Sequence, residues 1–388
     1  MTQRSRVIAA ALGLLLLALV LSACGAAPVA ETWPGLTVDD GIVYAISGQP
    51  AKVYMLDAET GAVKQTFPQS WLELVGDQAP KGVVYWSPVA VGEGQAFVGF
   101  SDTGAGTAGL YAFDPETGME LWRVPVELYI QDAPTYAAGV VYAGDTAGYV
   151  WAVDAESHSV KPGWPFETES AIWASPLVDG GRVYVAAMDH RLYCLDAETG
   201  ELIWEQDVGA AMAAPPILED GILYVGAFDG KEHAFRADTG ERVEGFSFEA
   251  QNWIWSEALM VADKLFVTSL DGKLYALEPT SGNVLAPYPY DSSEIDGKKD
   301  VIRAAPVQAG ESIIIGTESG RVIAVRDAQR GCYWPTGLPE STVLTTPVVW
   351  GDKLYVILTN GQIHTLDINT LESGTCAAGW SWSPPQGG

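Results

Sequence analysis

The sequence predicts an all-β fold, one four-stranded antiparallel sheet repeated around a ring, and three observations carry that prediction. Short runs of β-branched and aromatic residues alternate with Asp/Gly clusters, the pattern of a β-meander. The corner Asp196-Ala197-Glu198-Thr199-Gly200 recurs, its first position falling at Asp57, Asp114, Asp154, Asp196, Arg236, Glu278, Arg326 and Asp367, in steps of 57, 40, 42, 40, 42, 48 and 41 residues. No 3.6-residue apolar period accompanies the repeat. A period near 40 with four strands per unit is that of a β-propeller blade, so eight corners predict an eight-bladed β-propeller. Seven blades with one degenerate repeat is the alternative.

Residues 175–204 show how each unit is written. A first strand at 175–178 stops at Asp179-Gly180-Gly181, and 182–187 alternates as a second strand. Met188-Asp189-His190 turns the chain into a third strand, 191–195, and the corner turns it into a fourth, 201–204. Such a sheet is apolar on both faces, so it requires copies of itself as neighbours.

The chain opens with a segment outside the repeat. Arg4 and Arg6 precede an apolar run, 7–20, too short to span a bilayer comfortably, and Leu21-Ser22-Ala23-Cys24 follows. The last four residues are similar to a bacterial lipobox. Residues 1–23 are therefore expected to be a lipoprotein signal peptide, Cys24 the lipidated residue, and 24–33 a short tether. The propeller is assigned to 34–382 and a disordered tail to 383–388. The expected location is outside the cytoplasm, anchored by lipid, on the outer membrane where the organism has one.

Acids outnumber bases 49 to 21, for a net charge of −28, and loss of Arg4 and Arg6 with the leader takes this to −30. That balance argues against nucleic acid or an anionic lipid surface as the main partner. Many acids fall one or two per corner, spread around the rim. Cys194 reads as buried packing. Cys332 and Cys376 open the outermost strands of consecutive repeats, positions normally beyond the ~7 Å reach of a disulfide. Their pairing requires the C-terminal tail to fold back, and the sequence leaves it open.

The run Leu192–Trp204, LYCLDAETGELIW, recurs as 110–122 (LYAFDPETGMELW) and 274–285 (LYALEPTSGNVL). It resembles the repeat of the quinoprotein-type (PQQ-like) β-propellers. Within that family, eight repeats behind a lipobox are similar to the accessory lipoproteins of outer-membrane β-barrel assembly. The resemblance implies that the tryptophan eight residues past the corner, present as Trp122, Trp204 and Trp334, docks on the neighbouring blade. Repeats one, five and six lack it, and repeat three carries Trp164 displaced by two.

Quinoprotein dehydrogenases hold PQQ and calcium on this repeat, and those with eight blades carry a vicinal Cys-Cys pair on a much longer chain. No two cysteines are adjacent here. No cofactor is expected, and a PQQ-dependent dehydrogenase is the third-ranked reading. His158, His190, His233 and His364 lack metal-ligand spacing. The acidic insert 291–300 fails as a calcium loop, because Ser292 and Arg303 fall where ligands are needed. No catalytic or metal residue is assigned.

One constellation stands out. Three residues before the proline that starts each first strand (Ala258 in repeat six) lie Tyr85, Gln131, Trp173, Ala213, Trp255, Arg303 and Leu344, with Trp86 and Trp253 beside them. Innermost strands line a propeller's channel, so these residues are expected at one mouth. The connections 69–82 and 290–302 and the loop 101–109 are expected on the same face. Aromatics with an arginine suit a protein interface or a sugar-stacking site; the competing reading is a channel plug. The expectation is a non-enzymatic scaffold for an envelope protein partner, with a glycan or other small ligand as the second candidate occupant.

Overall fold

A computed structural model describes residues 35–48, 51–68, 83–295, 297, 300–335, 342–371 and 375–385. The leader, Cys24, the tether, the connection 69–82 and the last three residues of the tail lie outside them. The described residues form eight antiparallel sheets in chain order, each from one continuous stretch: 36–67, 83–126, 135–167, 177–207, 217–249, 259–291, 307–335 and 348–382. These are blades 1 to 8, and the eight-bladed propeller is the architecture. Blades 2 and 3 add one short strand each to the four-stranded plan.

Blade 4 shows why the sequence folds this way. Its strands are Leu177–Asp179, Arg182–Ala186, Arg191–Asp196 and Leu202–Asp207, hydrogen-bonded in that order. Side chains alternate across a strand, and both faces are apolar. Tyr184, Ala186, Leu192 and Cys194 pack with Leu223, Val225 and Phe235 of blade 5. Val183, Val185, Tyr193 and Leu195 pack with Tyr142 and Val150 of blade 3. Burying a leucine fully is worth about 2 kcal/mol, so a blade gains stability from two neighbours and little alone.

The corner closes on itself. Asp196 Oδ1 accepts the N–H groups of Glu198 and Thr199 at 2.9 and 2.8 Å, and these bonds hold the carboxyl below its usual pKa. Gly200 follows at φ +74°, where a Cβ would lie only 2.8 Å from Gly163 O and 3.2 Å from Trp164 of blade 3.

Neighbouring blades are also joined by a repeated hydrogen bond. A second-strand tyrosine donates to the carbonyl of the residue after the next blade's corner position: Tyr142 to Ala197, Tyr184 to Ala237, Tyr224 to Pro279 and Tyr355 to Ala58, at 2.9–3.3 Å. The last closes the ring from blade 8 to blade 1. Trp380 Nε1 donates to the same Ala58 carbonyl at 3.0 Å, and Lys353 pairs with Glu59. Tyr54, Leu56, Tyr355 and Ile363 share one core across this junction.

Cys332 and Cys376 form a disulfide, with a Cα separation of 5.7 Å. This corrects the spacing argument against their pairing. A short helix, Ile368–Leu371, and the chain after it precede blade 8's outer strand, Ala378–Trp382. Cys376 therefore does not hold the outer-strand position equivalent to Cys332, and both bury with Leu371 in the core shared by blades 7 and 8.

Candidate functional site

At one end of the ring, the segment leading into each of blades 3 to 8 is tied to a loop joining the second and third strands. The N–H groups of Thr146, Met188, Phe228, Leu270, Glu318 and Thr359 donate to the carbonyls of Tyr129, Ala171, Ala211, Trp253, Val301 and Thr342, at 2.9–3.1 Å. The residue after each acceptor is buried: Ile130, Ile172, Met212, Ile254, Ile302 and Val343 are all at most 1% exposed. The next residue is Gln131, Trp173, Ala213, Trp255, Arg303 or Leu344, the positions singled out in the sequence. A fixed backbone bond and a buried anchor thus hold each of these side chains on a rigid frame.

Four of the expected residues come together. The rings of Trp173 and Trp255 lie 6.2 Å apart, although they belong to blades 4 and 6. Blade 5 supplies only Ala213 at the intervening position. Phe228 stacks on Trp253 at 4.6 Å and on Trp255 at 5.1 Å. The Arg303 guanidinium sits 4.5 Å from the Trp255 centroid, and its Nε and Nη2 reach Glu318 Oε1 at 2.9 and 2.7 Å. Trp253 remains 45% exposed, so the cluster presents aromatic surface to solvent. Phe228 was not expected; it occupies the loop position of Met188 and Leu270, and only the loop-to-lead-in bond places it here.

The other expected mouth residues are placed differently. Trp86 stacks on Tyr129 at 4.9 Å and donates to Ser101 Oγ at 2.7 Å, a separate aromatic pair beside the lengthened 101–109 hairpin. Gln131 is half-buried. Tyr85 does not belong at a mouth: it is 1% exposed and packed near Phe67 and Tyr111. The cause is the extra strand Val83–Tyr85, which pairs with Phe100–Asp102 and turns this tyrosine into the core between blades 1 and 2.

Trp204 donates to Ala237 O of blade 5 at 3.1 Å and lies over Gly240. Trp122 packs with Val141 and Val153 of blade 3. Trp334 lies opposite Val322 rather than at the register of the other two, with its ring 4.9 Å from His364 of blade 8. Trp380 makes the equivalent contact for blade 8, over Gly61 of blade 1. Sequence spacing missed it, because the helix and disulfide segment shift it five residues from the repeat position.

A cavity of about 330 Å³ opens at blade 5, lined in part by Asp229, His233, Arg242 and Phe246. His233 Nε2 lies 3.2 Å from Asp229, and Arg242 Nη1 is 3.0 Å from its Nδ1. Tyr193–Asp189 and Tyr275–Asp271 make the same loop-capping bond in blades 4 and 6. His233 is therefore the blade 5 version of a structural device. Burial lowers its pKa despite the facing Asp229. His190 sits exposed in its turn at φ +74°. Among the described residues no three His, Cys, Asp or Glu side chains are grouped to hold a metal ion.

The fold is that of a quinoprotein-type β-propeller, and an aromatic cluster sits on its lead-in segments. A family model described as Outer membrane protein assembly factor BamB matches residues 73–169 and 158–373, and the chain belongs to that family. A BamB from Moranella endobia is 23% identical over 348 residues, 86% of this chain and 71% of that protein. A BamB from Nitrosomonas eutropha is 30% identical over 95 residues, covering 24% of this chain and 22% of the relative. The crystal structure of BamB from Moraxella catarrhalis superposes with a TM-score of 0.66 at 20% identity, covering 85% of this chain and 92% of that one. A europium-containing methanol dehydrogenase superposes at 0.62 with 14% identity, over 86% and 81%. Both structural likenesses speak to the fold alone.

Proposed function

We propose that this protein is a non-enzymatic, lipid-anchored scaffold of the bacterial envelope that docks a component of outer-membrane β-barrel assembly at its aromatic mouth. Membership of the BamB family supports the assembly role. The observation that carries the docking reading is the cluster of Trp173, Phe228, Trp253 and Trp255, held by backbone bonds repeated around the ring. A surface preformed in this way loses little conformational freedom on binding, which favours association. Rigid aromatics and an arginine are the residues that dominate interface energetics. Cys24 would hold the propeller near the membrane through its acyl chains. The absence of adjacent cysteines in the sequence supports a role without quinone chemistry.

The test is crosslinking and capture of the lipidated protein from its own membranes, read by mass spectrometry, beside Trp173→Ala and Trp255→Ala variants. Capture of a β-barrel assembly protein, lost in the variants, is the expected result. Equal capture by the variants would remove the mouth from the reading. Capture of no envelope protein above background, with saturable glycan binding instead, would replace the scaffold by a glycan-binding module.

A further inference from the structure

The blade 5 cavity is bordered by hydrogen-bond donors that lack acceptors. Blades 3, 5 and 6 share one plan, in which the last strand is cut to two residues: Phe166–Glu167, Phe248–Glu249 and Tyr290–Asp291. At one third-strand position blade 5 carries His233, where blades 3 and 6 carry the larger rings of Trp151 and Tyr275. At the bridge beyond it, blade 5 carries Arg242, where the other two carry Val160 and Val284. An imidazole fills less of this space than an indole or a phenol, and the cavity of about 330 Å³ lies against it. That volume falls at the lower end of small-molecule sites, about 300–1,000 Å³.

Two residues of the lining have donors to spare. Ala234 is 5% exposed, and its carbonyl accepts the Val243 N–H at 2.9 Å. A residue of an antiparallel strand turns its N–H and C=O to the same side, so the Ala234 N–H also points toward the detour 243–247. It has no acceptor among the described residues, which is rare for a buried N–H. Arg242 gives Nη1 to His233 Nδ1 at 3.0 Å, and Nη2 to the carbonyls of Asp207 and Val208 at 3.0 and 3.1 Å. A guanidinium only donates, so Nδ1 accepts and the ring proton sits on Nε2, facing Asp229 at 3.2 Å. All three acceptors of Arg242 are therefore neutral. Among the described residues its Nε–H has no acceptor and its charge no carboxylate partner.

The other charges at the cavity do not supply that partner. Asp229 is taken by His233 and lies 4.0 Å from Lys231 Nζ, which also lines the cavity. Glu232 turns its carboxyl to the opposite face of the strand, where Oε2 lies 3.3 Å from the place a Cβ on Gly226 would take. Two cations thus face one carboxylate, in a chain with 49 acids and only 21 bases.

We propose that this cavity binds the oxyanion group of a small ligand, a carboxylate or a phosphate, paired with Arg242 and Lys231 and hydrogen-bonded by the Ala234 N–H. The site does not depend on the docking reading. The chain's net charge of −28 opposes an anion at long range, so affinity rests on these short, charge-assisted contacts. A neutral ligand of the same shape forfeits them.

The experiment titrates the full chain, labelled with ¹⁵N-histidine, with phosphate, succinate and neutral succinamide at constant ionic strength. His233→Tyr, which restores the ring type of Tyr275, identifies the His233 signals. The expected result is a saturable shift of the His233 ring nitrogens with phosphate or succinate and none with succinamide. A response to one anion alone supports the site and assigns its ligand. Arg242→Val, the residue type of Val160 and Val284, should weaken binding at least about tenfold. No saturable shift with either anion, an equal response to succinamide, or full affinity in Arg242→Val would each overturn the proposal. Calorimetry on His233→Tyr, whose phenol fills the cavity, decides if Arg242→Val does not fold: loss of the heat of binding is expected, and an unchanged heat would overturn the site.

Discussion

Blades 4 and 5 follow the same strand register, with Tyr184 opposite Cys194 in one and Tyr224 opposite Ala234 in the other, yet they solve the same structural problem with different chemistry. Where blade 4 buries Leu192, blade 5 buries Glu232, 2% exposed, with neither carboxylate oxygen hydrogen-bonded. Where blade 4 has Tyr193 on Asp189, blade 5 has His233 on Asp229. Where blade 4 extends Leu202–Asp207 as an outer strand that carries Trp204, blade 5 keeps only Phe248–Glu249. The comparison teaches that the ring tolerates local losses, because each blade is clamped from two sides. It also separates positions that the repeat needs from those that have drifted.

The largest effect is expected from moving the blade 5 anomaly into blade 4. Leu192→Glu places an unpaired carboxyl in a core of Tyr184, Leu223 and Phe235, and should destabilise the protein by about 4 kcal/mol at pH 7. Burial raises the folded-state pKa of such an acid above its unfolded value of about 4.3. Its penalty is therefore smallest below that value, where both states are protonated, and grows as pH rises toward the folded-state pKa. Thermal unfolding at pH 4 and pH 7 checks this; an equal loss at both would show that packing, not charge, dominates.

The reverse exchange sharpens the same point. Burial holds the Glu232 carboxyl well above the usual range, so the native chain already carries a stability that falls as pH rises above about 4.3. Glu232→Leu restores the residue type that Leu192, Leu274 and Ile363 supply elsewhere. It should stabilise the protein by about 1–3 kcal/mol at pH 7, and by less at pH 4. A Glu232→Leu protein no more stable than the native one at pH 7 would mean that the carboxyl finds a partner or water in its site.

How much of this was legible in the sequence follows from where the information sits. The corners were legible because Asp, Thr and Gly at fixed offsets are needed locally, as Asp196 Oδ1 shows by accepting two N–H groups within its own turn. Trp173, Trp255 and Arg303 were legible because the repeat gives each blade one lead-in position. Phe228 was not, since its place in the aromatic cluster depends on a hydrogen bond from its own backbone to Ala211. Tyr85 misled for the opposite reason: an added strand moves it off the repeat geometry. The disulfide and Trp380 share one cause, a helix before blade 8's outer strand that breaks the spacing.

The disulfide joins blades 7 and 8, the interface before the one that closes the ring, with a cross-link that blades 4 and 5 lack. A Cys332→Ser/Cys376→Ser double variant should lose about 2–4 kcal/mol. Unfolding of the native protein with and without reductant provides the matching measurement, and no difference in either experiment would show that Leu371 and its apolar neighbours hold the junction alone.

The smallest expected effect discriminates most finely between the two blades. The Ala237 carbonyl, where blade 4 grips blade 5, accepts from Tyr184, Trp204 and Arg182, at 3.3, 3.1 and 2.9 Å. The Pro279 carbonyl, where blade 5 grips blade 6, accepts from Tyr224 at 3.1 Å and among the described residues has no tryptophan or arginine donor in that role. Removing a hydroxyl leaves the first carbonyl satisfied and the second without its side-chain donor, and an unsatisfied acceptor is the more expensive outcome. Tyr224→Phe should therefore lower stability by about 1–1.5 kcal/mol and Tyr184→Phe by about 0.5 kcal/mol or less. Denaturant unfolding of the two variants resolves that gap. Equal losses would mean that the three donors at Ala237 act as one cooperative unit, and that blade 4 holds its neighbour no more redundantly than blade 5 does.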